Sequence, residues 1–129
     1  MADVNETLKK LNDTPDLTEE FDPEDIEKNK LMGILAYIHI LVLIPIFAAK
    51  DSKFARLHAN QGLVLFIAAV IFEILMGALS WIPIVNIIIF IIGGLGHLCW
   101  LALVIIGILN VANGKAKELP IIGKFRILK

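Results

Sequence analysis

Three long apolar runs constrain this sequence more than any other feature. They cover residues 31–49, 62–82 and 84–109. The first run has no formal charge, and the second has a single carboxylate, Glu73. A helix as long as the shortest run covers about 28 Å, roughly the thickness of the bilayer hydrocarbon. The sequence therefore predicts an all-α, polytopic membrane protein with three transmembrane helices.

The composition agrees with lipid as the main solvent. Hydrophobic residues make up 57% of the 129 residues, and the mean hydropathy is +0.78, whereas soluble domains contain about 45–50% apolar residues. The third run is longer than an upright span requires, so it either tilts as one helix or divides at Gly93–Gly96. We favour one tilted helix because tilting costs little. Pro45 is expected to bend the first span near its end.

The chain begins with a polar leader, residues 1–30, which holds ten of the thirteen acidic residues. It lacks the apolar segment of a cleavable signal peptide. Thr14-Pro15 and Asp22-Pro23 each offer a helix N-cap followed by proline. The second signal predicts a helix that runs from Pro23 through Lys30 into the first span. We expect the leader to be partly ordered.

The transmembrane helical domain, residues 31–113, is followed by a basic amphipathic tail, residues 114–129. Ser52 is expected to cap a helix that begins at Lys53 in the membrane interface and enters the hydrocarbon at Gly62. Asn113-Gly114 is a typical helix stop. The tail is typical of a segment lying on an anionic membrane surface; a plain positively charged exit segment is the alternative.

The distribution of basic residues predicts an orientation. Three spans put loop 50–60 and the tail on one side of the membrane, and the leader and turn 80–84 on the other. Eight of the twelve bases follow residue 30, mostly in that loop and the tail. The positive-inside rule then makes the C-terminus cytoplasmic and the leader external in a multi-pass protein of the plasma membrane.

Glu73 is the main candidate for an intramembrane site. An ionised carboxylate at mid-bilayer costs about 3 kcal/mol on the insertion scale, so Glu73 should face another helix. Residue counts from the outer surface put His39 at the same depth and His97 about 6–8 Å deeper, which predicts His39 as its partner. Asn86 and His97 complete the predicted polar pocket. The pocket either binds a proton or cation, lines a path for water, or only fixes helix packing.

A second candidate site precedes the second span. Phosphate or a passing polypeptide could bind its basic side chains, or the patch could simply anchor the helix at the interface. Its two amides favour a structural hydrogen-bonding role against the tail. The patch consists of Lys53, Arg56, His58, Asn60 and Gln61.

The residues of loop 50–62 and of the tail also carry a resemblance. The chain resembles a prokaryotic family of small membrane proteins of unknown function, similar to the twenty-kilodalton subunit of the chloroplast inner-envelope import translocon. The likeness spans about residues 29–125 and implies an import-channel component with four spans, one more than the apolar runs give. It carries over no catalytic residue. The matching residues are Lys50-Asp51, Phe54, Arg56, His58, Gln61-Gly62, Gly114-Lys115 and Leu119–Lys124.

No catalytic or metal-binding pattern accompanies these sites. Cys99 is the single cysteine, and the sequence has no HExxH, GxSxG or phosphate-binding glycine motif. We therefore expect no enzyme activity, no cofactor, no metal and no nucleic-acid partner.

The functional hypothesis is a non-enzymatic transport- or translocation-related subunit, or an assembly partner. Such a subunit would self-associate or bind another membrane protein. One alternative is a membrane-anchored module that binds anionic lipid headgroups or protein. The other is a membrane-embedded enzyme.

Overall fold

The structure is a computed structural model that describes Glu6, Thr7, Lys10 and residues 14–128. This part of the chain is helical and contains no strand beyond an isolated bridge between Asp16 and Lys117. The α-helices are α1 (Pro23–Lys28), α2 (Lys30–Leu35), α3 (Leu43–Ala48), α4 (Lys53–Leu79) and α5 (Asn86–Ala112). Short 3-10 helices cover Thr18–Glu20, His39–Val42 and Pro83–Val85.

Helices α4 and α5 form an antiparallel hairpin. Among the described residues, they give the only two helical stretches long and apolar enough to cross a membrane. Ser52 caps α4 by accepting from the Ala55 amide, as predicted. Helix α5 is unbroken, which confirms one helix over two pieces, and it ends before Gly114, whose φ is +69°. The hairpin tip, residues 80–85, carries no charged side chain and exposes 87% of Trp81.

The predicted first span is wrong, because residues 31–49 do not form one helix. Helix α2 ends in i→i−3 hydrogen bonds from Tyr37 and Ile38, and His39 then takes a left-handed conformation with φ of +47°. The 3-10 turn and α3 carry the chain back toward α4. Two helices long and apolar enough to span a membrane, together with a broken helical segment, stand where three spans were predicted.

The contacts of this segment trace a path into the hairpin and back. Gly33 lies against Val111, near the C-terminal end of α5. The Ala36 carbonyl touches Gly62, and the His39 ring is 5.0 Å from the Phe66 ring, farther along α4. Val42 then contacts Gly62 again. Residues 31–49 thus form a re-entrant segment with His39 at its apex.

Two close contacts hold the chain at the turn. The Tyr37 ring packs where a side chain on Gly107 would stand, 2.5 Å from a Cβ built there. The Ala36 carbonyl similarly occupies the space beside Gly62. Ala36 and Tyr37 are both buried. Non-helical backbone at membrane depth is tolerated where protein buries it or a cavity lies beside it, and both conditions hold here.

The buried core lies at the open end of the hairpin, which we call the base. There α1, the re-entrant segment and the tail pack on the start of α4 and the end of α5. The tip half of the hairpin exposes large apolar side chains on both helices, the surface that lipid requires. The core residues are Ile26, Ala36, Tyr37, Val42, Phe54, Ala59, Leu65, Val104, Ile106, Val111, Ala116 and Leu119.

The leader and the tail meet at this same base, contrary to the prediction that they lie on opposite sides. The Leu17 amide donates to Ala116 O at 2.9 Å, and the Glu118 amide donates to Pro15 O at 3.1 Å. Helix α1 begins at Pro23 with Asp22 as its cap, as predicted. It stops at Lys28 instead of running through Lys30. Thr14 caps no helix and donates to the Glu118 carbonyl.

Candidate functional site

A pocket with three ionisable side chains in an otherwise mainly apolar lining lies in the hairpin about 16 Å beyond Gly62, measured by helical rise to Glu73. Its volume is about 290 Å³. Helices α4 and α5 form its walls, and the apex of the re-entrant segment contributes His39. We call it the hairpin pocket; it is lined by His39, Ala68, Ala69, Phe72, Glu73, Gly96, His97, Trp100 and Leu103.

Glu73 pairs with His97 in this pocket. Oε1 of Glu73 is 2.6 Å from Nε2 of His97, and Nδ1 of His97 donates to the Gly93 carbonyl at 2.7 Å. The predicted pairing of Glu73 with His39 is therefore wrong. Because Nδ1 carries a hydrogen, one further proton must lie between Nε2 and Oε1. The pair as a whole is electrically neutral, which lowers the cost of its position.

The direction of helical side chains explains why residue counting chose the wrong histidine. Side chains lean toward the N-terminus of their helix. In this antiparallel hairpin Glu73 leans toward the base and His97 leans toward the tip. The two long side chains therefore close the axial offset of about 6–8 Å that separates their backbones by helical rise.

His39 lines the same pocket through its ring contacts. Its ring centroid is 5.0 Å from that of Phe66 and 6.0 Å from that of Trp100, both in edge-on geometry. The indole Nε1 of Trp100 is buried and has no hydrogen-bond partner in the described part of the chain. Asn86 is exposed at the start of α5 and does not line the pocket, so the predicted four-residue set reduces to Glu73, His39 and His97.

A second polar cluster holds the tail against the base. The Lys115 carbonyl can only accept, so Nε2 of His58 donates to it at 2.9 Å. In the neutral ring Nδ1 is then an acceptor, and the Tyr37 hydroxyl donates to it at 2.6 Å. Gln61 Nε2 donates to the Tyr37 oxygen at 3.0 Å and to the Lys117 carbonyl at 3.1 Å. Its Oε1 accepts from the Leu119 amide.

Asn60 holds the end of the tail in the same way. Its Nδ2 donates to Phe125 O at 2.6 Å, and its Oδ1 accepts from the amides of Ile127 and Leu128. We call Tyr37, His58, Asn60 and Gln61 the tail network.

The predicted interfacial patch therefore divides. His58, Asn60 and Gln61 are buried against the tail, whereas Lys53 is exposed and Arg56 half-buried. Lys53 lines a separate groove at the base, together with Asp22 and Asp51.

The sequence analysis did not identify two residues that make important polar contacts, Tyr37 and Asp25. Tyr37 lies inside an apolar run, where its hydroxyl requires a hydrogen-bond partner; that requirement was the available signal. Asp25 accepts from the Phe54 amide at 3.0 Å through Oδ2 and from Asn29 Nδ2 at 2.7 Å through Oδ1. It thus caps α4 from the leader, which local sequence patterns do not reveal.

The chemistry available to these sites is limited. No group of three or more His, Cys, Asp or Glu side chains suited to a metal ion occurs within the described residues. The tail network uses its polar atoms to fix the backbone of the tail. The hairpin pocket differs because it pairs a carboxyl group with an imidazole, two groups that can share a proton.

Comparison with known proteins identifies the family. The model of the magnetosome magnetite crystal formation protein family matches residues 28–126. Magnetosome protein MamF of Paramagnetospirillum magneticum (strain AMB-1) is 32% identical over 98 residues, which cover 76% of this chain and 82% of the relative. No solved structure matches the chain.

These matches correct the resemblance to the import-translocon family. The matched region extends from the end of α1 to the tail and includes both polar clusters. It therefore covers the motif residues that suggested an import component. The chain is a membrane protein, and it belongs to the magnetosome magnetite crystal formation protein family.

Proposed function

We propose that this chain is a non-enzymatic protein of the magnetosome membrane that takes part in magnetite crystal formation. The observation that carries the proposal is the family match over residues 28–126. The magnetosome membrane replaces the plasma membrane as the expected location. The transport and translocation hypothesis loses its basis, because it rested on the import family.

We also propose an orientation with the base in the cytoplasm and the tip on the opposite side. The contacts between leader and tail support one location for both ends of the described chain. All basic residues of the described chain belong to the base or its connecting segments, and the tip has none. The positive-inside rule therefore favours a cytoplasmic base. From Gly62 to Leu79 the helix length is about 27 Å, close to the hydrocarbon thickness.

Deletion of the gene in a magnetosome-forming host tests the role. We expect electron microscopy to show crystals of altered size distribution, and a plasmid copy to restore the original distribution. The protein, detected with an antibody to the tail, should co-purify with isolated magnetosomes. Recovery only in the plasma-membrane fraction, together with unchanged crystals, would contradict the proposal.

Cysteine labelling of intact isolated magnetosomes tests the orientation. In a Cys99→Ala background, an impermeant maleimide should label Lys50→Cys at the base without treatment. It should label Ser80→Cys at the tip only after detergent opens the membrane. The reverse pattern would refute the orientation.

A further inference from the structure

Three ionisable side chains from three segments meet at the hairpin pocket. Glu73 comes from α4, His97 from α5 and His39 from the apex of the re-entrant segment. No other ionisable side chain lines the pocket in the described part of the chain. The site lies about 16 Å from Gly62, which corresponds to mid-bilayer in the proposed arrangement. Ionisable groups at this depth are rare in membrane proteins and mark proton or ion sites.

The Glu73–His97 geometry requires a proton between the two side chains. Oε1 and Nε2 are 2.6 Å apart, so one hydrogen must lie between them. Both atoms would otherwise direct lone pairs at each other. Without it a carboxylate faces an imidazole lone pair, and repulsion drives the side chains apart. The chain does not enclose the pair by itself: 57% of the Glu73 side chain and 60% of the His97 side chain are exposed in the single chain, so at this depth lipid, pocket water or another protein chain must cover them.

The pocket has room and partners for water. A volume of about 290 Å³ exceeds several-fold the roughly 30 Å³ that one water molecule occupies in the liquid. The Glu73 and His39 side chains, which line the pocket, offer hydrogen bonds to such water. The interrupted backbone at His39 is of the kind that membranes tolerate beside water-lined cavities.

We propose that the hairpin pocket is a hydrated proton-binding site inside the membrane, at which Glu73 and His97 hold one proton and exchange it with water. Release transfers the shared proton to water as hydronium and leaves the Glu73 carboxylate and a neutral His97 that keeps its Nδ1 hydrogen. Uptake is the reverse step and restores the neutral pair. His39 is the third titratable group that faces the water. The proposal does not depend on the magnetosome role.

Histidine NMR of the full chain in lipid nanodiscs tests proton binding, since the chain has three histidines. With ¹⁵N-labelled histidine, the His97 ring signals should change reversibly between about pH 5 and pH 9. Glu73→Gln should move the midpoint by about one pH unit or more, the scale of a close charge partner. His58, buried in the tail network, is the internal control and should not respond to Glu73→Gln. His97 signals that ignore pH, or that titrate identically in both proteins, would refute the site.

Thiol reactivity tests hydration independently. The variants Ala68→Cys and Ala69→Cys, made in a Cys99→Ala background, place a thiol in the pocket lining. Ile71→Cys is the matched control, because Ile71 lies on the same helix and on the exposed apolar surface. Maleimide reacts with the thiolate, which forms in water and not in lipid. Both pocket cysteines should react about ten-fold faster than the control. Equal rates would exclude a hydrated pocket, whatever the NMR result.

Discussion

The close approach of the re-entrant segment to α4 can be tested at one glycine. A Cβ built on Gly62 overlaps the Ala36 carbonyl oxygen and stands 2.6 Å from its carbon and 3.2 Å from Cγ2 of Val42. Ordinary van der Waals contacts begin at 3.4 Å. The neighbour in the closest contact is backbone and cannot rotate away. Gly62→Ala must therefore displace the re-entrant segment, because a core packed at crystal-like density has no free space for the added methyl group.

Gly77 on the same helix provides a matched control. A Cβ there meets nothing within 4 Å, so Gly77→Ala should gain up to about 1 kcal/mol from helix propensity. Overpacking costs about 1–3 kcal/mol in well-packed sites. Gly62 lies in the same helix and gains the same propensity, so Gly62→Ala should lower the free energy of unfolding by about 1–3 kcal/mol relative to Gly77→Ala.

Reversible unfolding in mixed micelles of a mild detergent and SDS, followed by far-UV circular dichroism, measures this difference. The same samples report Ala69→Cys reactivity, which should change only in the Gly62→Ala background, because the displaced segment carries His39 into the pocket. Equal stabilities of the two alanine variants would show that the segment does not rest on α4.

Three further predictions concern the base. Gln61→Leu removes the hydrogen-bond partners of the Leu119 amide and the Lys117 carbonyl. The variant should lose about 2–4 kcal/mol of unfolding free energy, and trypsin should cleave its tail faster. Unchanged cleavage would contradict the tail network. Asp25→Ala removes the leader's cap on α4 and should lower the free energy of unfolding by about 0.5–2 kcal/mol. Glu24→Ala is the control, because Glu24 lies on the same helix and does not contact the Phe54 amide. Hydrogen bonding from the Thr18 hydroxyl lowers the pKa of Asp16 below its ordinary value of 3.8. The ionised Asp16 therefore stabilises the fold above pH 3.8. This stabilisation is lost as the pH falls through the lower pKa of the folded protein. The difference in unfolding midpoint between wild type and Asp16→Asn should therefore be visible at pH 7 and vanish on acidification; a difference that persists at the lowest pH would refute the assignment.

The elements that the sequence predicts correctly are those set by local chemistry. Ser52 and Asp22 cap the helices that follow them because a short polar side chain can bond a free amide two or three residues ahead. The apolar length of α5 outweighs its four glycines, so the helix is unbroken. Gly114 ends it by adopting a positive φ. These features require knowledge of only a few neighbouring residues.

The re-entrant segment and the partner of Glu73 depend on contacts between distant parts of the chain. Gly33 is the only poor helix former between Leu31 and Ala36, and the length of residues 31–49 suits a span. The turn forms because Gly62 and Gly107 make room for Ala36 and Tyr37, and because the Tyr37 hydroxyl binds His58. The partner of Glu73 was missed for a similar reason. Residue counts give the depth of the backbone, and they do not include the opposite directions in which side chains lean on antiparallel helices.

The uncharged tip limits what this chain can offer to a mineral. With the base in the cytoplasm, the far leaflet presents only residues 80–85, which include serine, tryptophan, proline and aliphatic side chains. Hard iron ions favour carboxylate oxygen ligands, and this turn supplies none. In the proposed orientation, an influence on crystal growth of the kind proposed above would be exerted from the opposite face or through the bilayer interior.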